Sequence, residues 1–187
     1  MKISNKKRCE WALSNDFLIP YHDLEWGVPA HDDRLLFEML NLEGAQAGLS
    51  WLTILKKRTN YLQAFDKFNA KKIVRYDQRK KTDLMNNEGI VRNRLKINAV
   101  IENAKAFLQI QQEFGSFDMY LWQFVDGKFL SSVKRQQAIG ISELLSKELK
   151  KRGFRFVGPT ICYAFMQAVG IVNDHSPDCF RAKELTE

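Results

Sequence analysis

The chain has 187 residues, 45% hydrophobic and 27% charged, with only 4 Pro and 10 Gly. That balance excludes collagen-like, mucin-like and linker classes and predicts one globular domain, or one lobe with a small satellite. The net charge of +7 comes from 29 Lys and Arg against 22 Asp and Glu.

The densest apolar stretch, ICYAFM at 161–166, is far shorter than the roughly 20 residues of a spanning helix, so no membrane partner is expected. The start of the chain, MKISNKKRCEW, lacks the apolar core and small-residue cleavage site of a signal peptide. Three cysteines, Cys9, Cys162 and Cys179, are too few and too scattered for a disulfide framework. A reduced, cytoplasmic setting is the expectation.

The charge is concentrated. Residues 56–96 hold 13 Lys and Arg against 4 Asp and Glu, a net of +9, which leaves the rest of the chain at −2. Gathered on one side by the fold, these side chains would face a polyanion, with nucleic acid the leading partner. A lysine-rich solvated face is the alternative, and charge alone leaves both open.

In chain order, helical periodicity dominates and predicts an all-α fold. Asp32 or Asp33 caps a helix that carries Leu36, Leu40 and Ala47 on one face and ends at Gly48. Ser50 caps the next, from Trp51 to about Phe65, with Leu52, Leu55 and Leu62 on its apolar side. A short helix is expected over Ala70 to Arg75 and another over Thr82 to Asn87, closed by Asn87-Glu88-Gly89. Ile97, Val100, Ile101, Ala104, Phe107 and Leu108 mark a long amphipathic helix. Residues 116–125 give a short aromatic helix. Residues 126–141 break the period and read as a loop that leads to a cap at Ser142 and a helix through Arg152. The last helix, about Thr160 to Val169, is apolar on nearly every side and should lie at the centre of its lobe.

Few residues can carry chemistry. Cys9 and His22 near one end, with His175 and Cys179 near the other, make a Cys2His2 set. These are donor types that zinc prefers, and four protein ligands leave no open position for an activated water, so such a site would be structural. The spacing is not that of a zinc finger, and a capping His175 beside an ordinary thiol remains the alternative. Cys162 reads as a core thiol and His31 as a surface residue beside a cap. Glu43 shares the apolar face with Leu36, Leu40 and Ala47, so its carboxylate is expected out of water and in need of a partner or a ligand. Trp11, Tyr21, Trp26 and Trp51 lie close by along the chain. They are either ordinary core or, around a carboxylate, a site for a flat, electron-poor ring such as a cationic purine. Between Leu84 and Ile97 the sequence LMNNEGIVRNRLKI has the size of a helix-hairpin-helix. Its turn at Gly89 would offer backbone N–H groups to a phosphate, with Arg92, Arg94 and Lys96 alongside. The usual second glycine is missing, and an ordinary αα-hairpin is the alternative.

The ordered blocks RCEWA, YHDLEWGVP, LFEMLNLEGAQAGLSWLTILKKR, GIVRNRLKI and KKRGFRFVGPTICYAFMQAVGIVNDH extend over nearly the whole chain. On them the sequence resembles the 3-methyladenine DNA glycosylase I family of bacterial base-excision repair. The resemblance implies a helix-hairpin-helix glycosylase fold and a structural zinc, one per chain, held by Cys9, His22, His175 and Cys179. It implies one unit over 1–187, with a helical lobe over about 32–125 that carries the hairpin (84–97) and a second lobe from the N-terminal segment plus about 142–180.

By the same resemblance Glu43 is the catalytic residue, Tyr21, Trp26, Trp51 and Trp11 are the base-pocket residues, and Gly48 and Leu49 probe the gap left in the duplex. The implied activity is monofunctional hydrolysis of the N-glycosidic bond of 3-methyladenine in double-stranded DNA, by a monomer. The wider superfamily's aspartate after the hairpin, and its lysine, have no counterpart, because residues 93–113 read as continuous helix. That argues against strand cleavage and oxidised-base substrates. The competing function is a zinc-stapled DNA-binding module without activity.

Overall fold

A computed structural model describes residues 6–131 and 134–185. The fold is mostly helical, and among the described residues the one sheet is a parallel pair of two-residue strands, β1 (Leu130–Ser131) and β2 (Val172–Asn173). The chain enters through a 3-10 turn, Glu10–Ser14, and a short helix α1, Leu18–Leu24. Helix α2, Asp33–Gln46, starts where the Asp32 carboxylate accepts from the Leu35 N–H. It is the centre of the molecule, with Leu36, Phe37, Leu40 and Leu42 fully buried. Buried residues run all round α2 and not along a single stripe, as for a helix enclosed by its neighbours.

Ser50 caps α3, Trp51–Ala64, through the Thr53 N–H. Asn69 caps α4, Ala70–Ile73, and Asp77 caps α5, Gln78–Asn86, which begins four residues earlier than Thr82. A turn then leads to α6, Arg94–Phe114, whose buried residues Ile97, Val100, Ile101, Ala104, Phe107 and Ile110 repeat at three and four. Ser116 caps α7, Phe117–Trp122. The carboxylate of Asp33 accepts from the N–H groups of Phe117 and Asp118, which fixes the start of α7 against the start of α2.

The expected loop over 126–141 is corrected. Helix α8 runs Arg135–Lys151, so a helical turn and more lies where the loop was expected, while residues 132–133 fall outside the described residues. Ser142 is not a cap: it sits inside α8 and its hydroxyl donates back to the Ile139 carbonyl. Gly140 costs about 1 kcal/mol of helix propensity. Burial of Ala138, Leu145 and Leu149 along one stripe outweighs that cost.

Helix α9, Pro159–Ala168, packs between α8 and α2, with Cys162, Phe165 and Met166 buried and Ile161, Tyr163 and Gln167 only partly so. Gly170 follows at φ +75, and a Cβ there would lie 2.3 Å from the Pro29 nitrogen, so no side chain fits. That close approach brings the segment after α9 against the N-terminal part. A last helix, α10, spans Phe180–Glu184. No helix among the described residues is long and apolar enough to cross a membrane.

Candidate active site and metal centre

Cys9 precedes the 3-10 turn, His22 lies in the last turn of α1, His175 follows β2, and Cys179 precedes α10. All four are buried, and their donor atoms lie within 4.8 Å of one another. The contacts are Cys9 Sγ to His175 Nδ1 at 3.5 Å, Cys179 Sγ to His175 Nδ1 at 3.5 Å and Cys179 Sγ to His22 Nε2 at 3.4 Å.

The remaining ring nitrogens are engaged on the outside. His22 Nδ1 donates to Asp23 Oδ1 at 2.8 Å and His175 Nε2 to the Trp26 carbonyl at 3.0 Å. Those partners fix the tautomers so that Nε2 of His22 and Nδ1 of His175 present lone pairs inward. Burial pushes His175 down to about 4, which keeps its imidazole neutral. Asp23 is in turn gripped by Arg8, at 2.8 Å from Nη2, and despite burial this partner holds its carboxyl below the usual range. The group is able to hold a metal ion. Arg8 and Asp23 were not singled out in the sequence, although each is adjacent to a donor.

Cys9 also touches a neighbouring cavity of about 350 Å³, lined by Trp11, Tyr21, Trp26, Glu43 and Trp51, with Gln46, Gln167 and Asp174 also on its wall. Trp11 meets Trp26 edge to face at 5.0 Å between centroids, and Tyr21 tilts against Trp51 at 5.2 Å. Trp11 also contacts the His22 ring at 5.4 Å, so the Cys/His group buttresses one side of the cavity.

Glu43 projects from α2 and is 3% exposed. Among the described residues its Oε2 has no hydrogen-bond partner, and neither does the buried Nε1 of Trp51. Two orphaned polar atoms around one cavity are costly unless a ligand satisfies them. Burial pushes the Glu43 carboxyl up to about 8. It also drives the Tyr21 hydroxyl well up, with the nearby Glu43 adding to the effect, so Tyr21 stays a donor.

Leu49 and the hairpin residues lie outside the cavity lining. Gly48 holds φ +77 at the end of α2 with open space around it, and Leu49 beside it is 42% exposed. Lys96 is not a free surface cation: its ammonium donates to the carbonyls of Ala45 and Ala47, both at 2.7 Å, and so ties α6 to the end of α2. Arg92 and Arg94 are exposed, Arg92 lying 3.5 Å from Glu88. In the hairpin turn the Gly89 N–H goes to Asn87 Oδ1, while Asn93 Oδ1 takes the N–H groups of Leu95 and Lys96.

This helical fold, with a buried carboxyl among aromatic rings, is that of the methyladenine glycosylases. The chain belongs to that family, whose model matches residues 11–182. It is 47% identical over 180 residues to the DNA-3-methyladenine glycosylase 1 of Escherichia coli (strain K12), covering 92% of this chain and 95% of that one. A crystal structure of 3-methyladenine DNA glycosylase I superposes with a TM-score of 0.87 at 48% identity, covering 93% and 98% of the two chains. The 3-methyladenine DNA glycosylase I of Staphylococcus aureus, solved to explain its recognition of 3-methyladenine, superposes with a TM-score of 0.87 at 36% identity, covering 92% and 95%.

Proposed function

We propose that this chain excises 3-methyladenine from double-stranded DNA, and that the unpartnered Glu43 carboxyl among aromatic rings carries the reading. An enzyme that acts on a base in a duplex must first take it out of the stack, and a damaged base costs less to extrude. Methylation at N3 makes adenine cationic and its glycosidic bond weak. Inside the cavity Tyr21 and Trp51 stack on the ring while Trp11 and Trp26 close the side.

Because the free carboxyl titrates at about 8, Glu43 is mostly protonated at neutral pH, and a bound cation restores the carboxylate by supplying the charge that burial denied it. A neutral adenine offers no such gain, which is the source of discrimination. Glu43 accepts from the purine edge and holds the extruded state, and water then attacks the sugar.

The donor set fits zinc. With Zn–S near 2.3 Å and Zn–N near 2.05 Å, a tetrahedral ion separates S and N donors by about 3.6 Å, close to the 3.4 and 3.5 Å separations of Cys9, His22, His175 and Cys179. A zinc ion there supplies a closed structural cross-link and no activated water.

We read the fold as a helix-hairpin-helix glycosylase unit over 1–187, with a lobe over about 32–125 that carries the hairpin and a second lobe from the N-terminal segment plus about 142–180. DNA contacts fall to Arg92, Arg94 and the Gly89 turn, with Leu49 entering the duplex from the Gly48 turn. Lys96 acts by bracing that turn and not by reaching a phosphate.

The test is release of free base from methylated duplex DNA, separated chromatographically. Glu43→Gln is expected to retain duplex affinity and lose most of the excision. Unchanged turnover in that variant would remove Glu43 from the mechanism, and tight DNA binding by the unaltered protein with no base released would favour a binding module.

A further inference from the structure

The cavity contains a second carboxylate. Asp174 follows β2 and lines the same cavity as Glu43, from the side built by α9 and the segment after it. Its Oδ2 is held by two donors on α9, the Tyr163 hydroxyl at 3.1 Å and Gln167 Nε2 at 2.8 Å. Oδ1 has no hydrogen-bond partner among the described residues. Both donors are thus spent on aiming one oxygen.

The two carboxyl groups lie at different depths, since Glu43 is buried and Asp174 half-buried. A nucleotide enters base first, and its sugar stays tethered to the backbone at the mouth. With that order of entry the buried carboxyl would meet the base and the half-buried one would stand nearer the sugar.

Charge moves between these levels during the reaction. A cationic 3-methylated nucleotide has its charge on the base. As the C1′–N9 bond breaks, its electron pair goes to the base, which leaves as neutral 3-methyladenine, and positive charge appears on the sugar. Water oxygen then bonds to C1′, and the proton it loses passes to solvent at the mouth. A negative group at the base favours the bound ground state, whereas one at the sugar grows in worth as the bond breaks, and only the second kind accelerates the chemical step.

Building on the excision activity proposed above, we infer that Asp174 is a second electrostatic group of this reaction, whose Oδ1 faces the sugar, stabilises the charge that develops at C1′ and orients the attacking water. Glu43 then selects and holds the base, while Asp174 acts on the bond.

Asp174→Asn keeps the shape and can still accept from Tyr163 and Gln167 through its amide oxygen. In single-turnover excision from methylated duplex DNA it is expected to be at least about tenfold slower than the unaltered protein, with affinity for free 3-methyladenine and zinc content unchanged. An unaltered rate, or a slower one with matching loss of free-base affinity or zinc, would overturn the inference and make Asp174 a brace for the wall. Tyr163→Phe keeps the charge and removes one of the bonds that aim it, so it serves if the Asn variant misfolds. A slower step at unchanged free-base affinity supports the inference, and an unchanged rate sinks it. If the unaltered protein releases no 3-methyladenine, the reading beneath fails first, and that outcome is distinct from either variant's.

Discussion

Glu43 is the residue whose environment makes the strongest demand. Its carboxyl titrates at about 8 in the folded chain against an ordinary value of 4.5, so between those values the folded state holds a proton that the unfolded state has released. The contribution to stability is therefore fully present below about 4.5 and lost as pH rises through about 8. Glu43→Gln, which never ionises, should gain on the unaltered protein over that window by a few kcal/mol. Thermal melts of both proteins at pH 5 and pH 9 test this, and a constant difference in Tm would show that Glu43 is not desolvated. Glu43 was legible in the sequence because helical period puts it on the face of Leu36 and Leu40, although α2 is enclosed on every side and the enclosure itself comes from packing. Asp174 was not, because what gives it meaning is the pair of donors on α9 and the cavity, neither of which is near it in any periodic sense.

At the scale of elements, two devices hold the site. The Cys2His2 group joins the chain before α1 to the chain before α10. Cys179→Ser is expected to lower the zinc content from about one per chain and to cost several kcal/mol of stability, since metal binding is coupled to folding. Metal analysis with a melting curve reads both, and an active, fully stable protein free of zinc would refute the ligand set. Cavity binding should fall with it, because Trp11 leans on His22 and Trp26 gives its carbonyl to His175.

The second device is Lys96, whose ammonium closes the carbonyl end of α2. Lys96→Met should cost about 1–3 kcal/mol and slow excision by loosening the turn before Leu49, with little effect on the salt dependence of DNA binding. In the sequence Lys96 groups with Arg92 and Arg94, its like-charged neighbours. Only the packing of α6 on α2 shows that it turns inward. Helix α8 starts earlier than its local sequence suggests for a related reason: Gly140 and the polar run before it weaken local propensity, and burial against α9 overrides it.

At the scale of the whole molecule, the excess of positive charge in residues 56–96 spans α3, α5, the hairpin and the start of α6. Binding to undamaged duplex should weaken steeply with salt, and Arg94→Ala should reduce the slope of log affinity against log salt by about one. A slope that stays the same would remove Arg94 from the phosphate contacts.

The sequence by itself determined the helical class, most helix starts, the Cys9, His22, His175 and Cys179 set as a candidate for metal binding, and the place of Glu43 on the same side of α2 as Leu36 and Leu40. Each of these depends on short-range periodicity, on a capping residue or on the scarcity of Cys and His. The family blocks then ordered them along the chain. Tertiary structure decided what depends on distant segments meeting: the true start of α8, the inward turn of Lys96, the Arg8–Asp23 support behind His22, and the walls of a cavity that brings Trp11 and Glu43 beside Gln167 and Asp174. The physical reason is that hydrogen bonds and desolvation act over a few ångströms in space, and residues that far apart in sequence are placed there only when the core has packed.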